Sequence, residues 1–293
     1  MQSFASRLMP LVIRLRGSKK RYSSAELTLA KVAAQQLRPK SFTPPRGLEK
    51  KVDVAVRFVD GWPVYELSPK GRLPERRALY LHGGSYVYEI SSQHWGIVAE
   101  LARETNSRIL IPIYPLAPRG TAESIIDGCV ALATALIDEV GVDAVTMLGD
   151  SAGGGMALAT ALQLDQKPRV ILISPILDLA LDDPAVAALA GRDPWLDLPG
   201  AKATGELYRG DLPFTDPRVS PIHGDLASIG PVAVFTGTRD MLNADARRLE
   251  SVAAAAGHPV ELHEVPEMIH VYPLLPIPEA AVARAQMVEF ILR

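Results

Sequence analysis

The chain has one cysteine among its 293 residues. Cys129 has no partner for an internal disulfide and lies in the apolar-periodic stretch 125–140, which points to a buried helix position in a reducing, cytoplasmic setting. No residue beside it would depress its pKa, so a thiol nucleophile is not the expectation. Neither charge sign is in excess. With 31 Lys and Arg against 33 Asp and Glu the net charge is −2, which leaves no clustered-cation surface to displace counterions from nucleic acid. No uncharged apolar run approaches the roughly 18 residues of a transmembrane segment. The first 21 residues are basic but lack the apolar length and small-residue cleavage site of a secretory signal. No His, Cys and acid grouping has metal-ligand spacing, so no metal is expected. Internal repeats and low-complexity tracts are absent.

What is present suits one large α/β core: 48% of the residues are hydrophobic. Two helical segments open the chain, about Ser3 to Arg16 and Ser24 to Leu37, and the prolines between Pro39 and Gly47 end that pattern. Residues 1–48 therefore read as an N-terminal cap segment and 49–293 as the main domain. The first helix interleaves Phe4, Leu8, Leu11, Val12 and Leu15 with Arg7, Arg14 and Arg16. Its apolar stripe either packs on the body or serves as a flap or a peripheral lipid contact. A hairpin follows, 51–56 and 62–67 around Asp60-Gly61. Apolar runs at 78–81, 109–113, 145–148, 170–173 and 232–235 then alternate with helical patterns at 92–104, 122–140, 154–164 and 244–256, which implies parallel crossovers. With a last strand at 260–265 the sheet has about eight strands, mostly parallel and doubly wound, and that last strand is an edge able to pair with a second copy as a homodimer. The proline-rich connection 179–229 reads as a cap insertion with short helices at 184–190 and 199–209, overhanging the strand ends. Ser85, Tyr86, Trp195 and Tyr208 are the candidate pocket residues.

The chemistry centres on Gly149-Asp150-Ser151-Ala152-Gly153, placed between a strand and a helix. A serine on such a sharp turn exposes its Oγ, and Gly149 and Gly153 let strand and helix approach. A serine hydroxyl needs a base to take its proton and a carboxylate to fix the base's tautomer. Asp240 follows the strand 232–235 and is the expected acid; Asp245, farther into the next helix, reads as a first-turn residue. Of the histidines after Asp240, His258 lies in a turn and His263 on a strand. His270, in a loop after the last strand, is the expected base. His94 reads as a helix-surface residue and His223 as part of the cap loop. The backbone N–H groups of Gly83, Gly84 and Ala152 are the expected donors to a developing oxyanion.

His82-Gly83-Gly84, then Gly149-Asp150-Ser151-Ala152-Gly153-Gly154, then Asp240-Met241-Leu242 and His270, taken together, resemble the bacterial hormone-sensitive-lipase group of α/β-hydrolase esterases, from about residue 50 to the end. The resemblance implies an α/β-hydrolase fold with a helical cap, no cofactor, a small-molecule ester substrate with a short to medium acyl chain, and a structural role for His82 in bracing the oxyanion loop. Acetyl-hydrolases and lactone hydrolases share the same pattern. Ser85 stands where the group usually has a third glycine, which bears on acyl-pocket shape. A non-catalytic ligand-binding protein of the same fold would be expected to lack one of Ser151, Asp240 and His270.

Overall fold

The computed structural model describes residues 2–293. Helices α1 (Phe4–Leu15) and α2 (Ala25–Leu37) open the chain. Strands β1 (Val52–Val59), β2 (Trp62–Pro69) and β3 (Arg76–Leu81) come next, followed by α3 (Ser92–Glu104), β4 (Ser107–Pro112), α4 (Ala122–Val140), β5 (Val145–Asp150) and α5 (Ala152–Gln163). The second half holds β6 (Arg169–Ile173), α6 (Pro184–Ala190), α7 (Leu198–Arg209), β7 (Val232–Gly237), α8 (Asn243–Ala255), β8 (Glu261–Val265) and α9 (Pro278–Leu292). The strands form one sheet in the order β1-β2-β4-β3-β5-β6-β7-β8, antiparallel at β1-β2 and β2-β4 and parallel from β4 onward. This is an α/β-hydrolase fold.

Successive strand residues point to opposite faces, so each strand feeds two cores. Leu79, Leu81, Met147, Leu172 and Val234 pack with α4, α5 and α8, whereas Ala78, Tyr80, Leu148, Ile171 and Phe235 pack with α3 and α9. The central parallel strands are buried on both faces, which is why they read as unbroken apolar runs. Helix α9 is the element that the sequence periods do not single out. It buries Ala280, Ala283, Met287, Phe290 and Ile291, but Ala and Val are spread around its whole circumference and blur the apolar stripe.

The strand order reverses direction between β3 and β5, and a crevice opens at the C-terminal ends of such strands. The loops that follow these two strands are His82–Tyr86 and Ser151. Residues of the N-terminal segment and of the 179–229 connection meet above them. The Lys19 Nζ donates to the carbonyls of Ala190 (2.5 Å) and Asp193 (3.0 Å), and the Gln35 amide donates to the Val87 carbonyl at 2.8 Å. Gly200 of α7 lies so close to Tyr22 and Thr28 that a Cβ there would stand 2.5 Å from each. Helix α1 is held from below by Glu279, which accepts from the Ser3 N–H (2.6 Å) and the Ser6 hydroxyl (2.9 Å). The helix buries Ser6, Pro10 and Ile13 and leaves Phe4, Leu8, Leu11 and Leu15 exposed. No helix among the described residues is long and apolar enough to cross a membrane.

Candidate active site

Close approach of two backbones makes the turn at Ser151. A Cβ on Gly153 would stand 2.0 Å from the Leu81 carbonyl oxygen, and one on Gly149 would stand 2.1 Å from that of Gly153. Both obstacles are backbone, which cannot rotate away. Gly153→Ala should therefore destabilise the fold by about 3 kcal/mol or more, read as a drop in the denaturation midpoint; a midpoint equal to wild type would show that β3 and α5 can separate at no cost. Between these glycines Ser151 takes φ 54°, ψ −119°, a strained conformation for a residue with a side chain. Its N–H is tied to the Ile173 carbonyl (2.8 Å), and its own carbonyl accepts from Gly154 (3.0 Å) and Ile176 (3.2 Å).

Three side chains lie in one hydrogen-bonded line. The Ser151 hydroxyl is 3.0 Å from His270 Nε2, and His270 Nδ1 is 3.0 Å from Asp240 Oδ2. The other Asp240 oxygen accepts the Leu242 N–H at 2.9 Å. With Nδ1–H donating to the carboxylate, Nε2 is the free acceptor for the serine proton. The loop after β8 is fixed by Ser174, whose hydroxyl accepts the Val271 N–H at 2.9 Å. Ser151, His270 and Asp240 are all buried. Burial by itself would lower the His270 pKa, but the charge and hydrogen bond of Asp240, with Asp193 and Asp150 farther off, outweigh it and hold the imidazole above its ordinary value.

Asp150 changes the expected set of oxyanion donors. Its carboxylate is 2% exposed and collects the Tyr80 hydroxyl (2.5 Å) and the Gly83 N–H (2.9 Å) on one oxygen. On the other oxygen it has His94 Nε2 at 3.2 Å. Burial favours protonation of this acid, yet these donors and the His94 imidazole prevail and hold its pKa below the usual carboxylate range. The Gly83 N–H is thus committed to Asp150, in contrast to the sequence expectation. Among the described residues no protein acceptor takes the N–H groups of Gly84, Ser85 or Ala152, and all three residues border the cavities that reach Ser151. Ser85 has φ 51°. Its hydroxyl bonds the Tyr22 hydroxyl at 2.9 Å.

His94 also departs from expectation. Its Nδ1 accepts the Ser91 N–H at 2.8 Å, which puts the ring proton on Nε2, facing Asp150. It lines the cavity over Ser151 instead of a solvent-facing helix surface. His82 donates from Nδ1 to the Gly83 carbonyl (2.7 Å) and stacks on Tyr114 with ring centres 4.5 Å apart. Burial, then the nearby His94, pushes its pKa down to about 4, so it stays neutral. Trp195 stands edge-on to His270 at 6.1 Å, and Ser85 and Tyr86 border the cavities. Tyr208 does not. It is 1% exposed and stacks on Tyr86 with centroids 3.8 Å apart, so it cements α7 to the oxyanion loop.

Asp193 and Asp245 are buried carboxylates with positional work. Asp245, on the first turn of α8, turns away from the helix axis and accepts the N–H groups of Leu177 (2.7 Å) and Asp178 (3.1 Å). Burial raises its pKa to about 7 against the pull of those donors. Asp193 accepts from Trp195 (2.7 Å) and Leu196 (3.0 Å) with one oxygen and from Met241 (3.0 Å) with the other. It joins the 179–229 connection to the residue after Asp240. No sequence pattern marks Asp193, because its partners are backbone groups brought near by folding.

A family model described as the alpha/beta hydrolase fold matches residues 78–274. The chain is similar to a triacylglycerol lipase of Mycobacterium tuberculosis, at 30% identity over 80% of this chain and 50% of that protein, so it spans about half the length of that relative. It is also similar to an acetyl-hydrolase of Streptomyces hygroscopicus, at 35% identity over 69% of this chain and 71% of the other. Among solved structures, a hormone-sensitive lipase from a metagenome library aligns with a TM-score of 0.84 at 25% identity, over 100% of this chain and 99% of that one.

Proposed function

The chain belongs to the alpha/beta hydrolase fold family and is a carboxylic ester hydrolase of the hormone-sensitive-lipase kind; from that premise we propose that Ser151, His270 and Asp240 carry its chemistry on a small-molecule ester. The Ser151 Oγ attacks the ester carbonyl while its proton passes to His270 Nε2. The tetrahedral oxyanion is held by the N–H groups of Gly84, Ser85 and Ala152. The imidazolium, stabilised by Asp240, gives its proton to the leaving alcohol, and an acyl-serine remains. Water, deprotonated by the same imidazole, then releases the acid and restores Ser151. Residues 2–48 and 179–229 together form the cap over this site.

The observation that carries this reading is the pair of 3.0 Å contacts in series from hydroxyl to imidazole to carboxylate. A fluorophosphonate should label Ser151, located by peptide mass spectrometry, and labelling should stop p-nitrophenyl acetate hydrolysis. Full hydrolysis by stoichiometrically labelled protein would refute it. The base acts in its neutral form, so activity is complete above the His270 pKa and is lost as pH falls through it. Because that pKa is raised from 6.5, the acid limb of kcat/KM should have its midpoint above 6.5. A midpoint below that value would mean that the neighbouring carboxylates do not hold the imidazolium.

Helix α1 of the N-terminal segment offers a lipid contact. At 100° per residue, Phe4, Leu8, Leu11 and Leu15 lie along one side of α1, opposite buried Ser6 and Ile13. Arg7 and Arg14 flank them, and the helix has no acid to oppose an anionic surface. Sedimentation with phosphatidylglycerol vesicles should show binding that Leu11→Glu weakens at least tenfold. Equal pelleting of wild type and variant would rule the contact out.

A further inference from the structure

Asp193 is a fully buried carboxylate to which the proposed chemistry gives no part. One of its oxygens closes its own turn by accepting from Trp195 (2.7 Å) and Leu196 (3.0 Å), and the other accepts the Met241 N–H at 3.0 Å. That N–H belongs to the peptide unit that joins Asp240 to Met241. The carbonyl of the same unit accepts the Asn243 N–H at 3.1 Å, so the unit is gripped on both sides and its plane cannot turn. The plane fixes the direction in which the Asp240 side chain leaves the backbone. Beyond it, the carboxylate is held among the described residues by the Leu242 N–H and by His270 Nδ1. The turn at Asp193 also carries Trp195, which stands edge-on to His270 with ring centres 6.1 Å apart. One buried acid thus sets both the start of the Asp240 side chain and a wall beside the imidazole.

A carboxylate suits this place because it accepts three N–H groups and offers no competing donor. Burial makes those bonds hard to replace, since no water stands ready to take over. The turn is itself fixed from the other side of the site. Lys19, in the short 3₁₀ segment Lys19–Tyr22, donates to the carbonyls of Ala190 (2.5 Å) and of Asp193 (3.0 Å). A line of hydrogen bonds therefore runs from the N-terminal segment through residues 190–193 to the Met241 N–H, next to Asp240. The chemistry is sensitive to such a line, because a reacting group displaced by about 1 Å loses on the order of 100-fold in rate.

We infer, resting on the esterase reading above, that Asp193 is a positioning residue for the Asp240–His270 pair and that Lys19 of the N-terminal segment sets Asp193 in place. The closing experiment compares two acetates that differ in their need for a general acid. p-Nitrophenolate leaves without a proton, whereas ethoxide must take one from His270 as it departs, so a displaced imidazole costs ethyl acetate more. Asp193→Asn keeps the side chain's size and an acceptor for Trp195 and Leu196, but it turns an NH₂ toward the Met241 N–H. It should lower kcat/KM about tenfold on p-nitrophenyl acetate and about 100-fold on ethyl acetate, raising the ratio of the two about tenfold. Lys19→Met keeps the aliphatic stem, removes both donations and should raise the same ratio about threefold; it carries the test alone where Asp193→Asn does not fold. A purely structural role would reduce the folded fraction and lower both rates in proportion. An unchanged ratio in either folded variant would therefore overturn this inference, and the esterase reading would stand on wild-type hydrolysis and a fluorophosphonate adduct at Ser151. Wild type that hydrolyses neither ester and takes no adduct would overturn both.

Discussion

Ser151→Ala should lower kcat for p-nitrophenyl acetate by about 10⁵ to 10⁶, the scale on which removal of a triad nucleophile acts. The substitution deletes one oxygen. That atom's hydrogen bond is to His270 Nε2, and the turn is held by the backbone of residue 151 and by its flanking glycines, so the fold should keep its denaturation midpoint. What survives is catalysis by the N–H donors and by substrate binding, on the order of 10³ over water. Turnover near that of wild type would place the nucleophile on another side chain.

Asp240→Asn should cost about 10⁴ in kcat with little change in KM. The amide oxygen can keep the Leu242 N–H, but its NH₂ then faces His270 Nδ1, where the carboxylate now accepts a proton donor. An NH₂ in that place favours the tautomer protonated on Nε2, which cannot accept the Ser151 proton. Loss of the carboxylate charge should also shift the acid limb of the pH profile downward, since Asp240 is the chief group raising the His270 pKa. A loss below tenfold would transfer the acid role, and Asp193 becomes the next group to substitute. Asp245 is a poorer choice than its place in the sequence implies, because its carboxylate is occupied by Leu177 and Asp178.

The unevenness of what could be read from the sequence follows from the range of the interactions. Strands β3 to β7 and the helices between them are legible because double burial makes the strands continuous apolar runs and single-sided burial makes the helices periodic. Helices α6 and α7 announce themselves by Asp183-Pro184 and by Asp197 with Pro199, which fit the first turn of a helix. Ser151, Asp240 and His270 can be read in order from strand ends and from the glycines beside the serine. His94 misleads because its capping role on α3 is local, whereas its contact with Asp150 spans 56 residues. Tyr208 reads as a pocket aromatic for the same reason, since its stacking partner Tyr86 comes from the oxyanion loop.

The sequence by itself determined the alternation of strands and helices, the turn that exposes Ser151, and which acid and which histidine follow it, since each rests on residues within a few positions of one another. Only the tertiary structure decided which N–H groups stay free for an oxyanion, because that depends on where the Asp150 carboxylate spends its hydrogen bonds. It also decided the cavities that reach Ser151. Their walls come from the N-terminal segment, α3, the 179–229 connection and the loops after β3, β5, β6, β7 and β8. Side-chain volumes so far apart along the chain are compared only when folding brings them to one place.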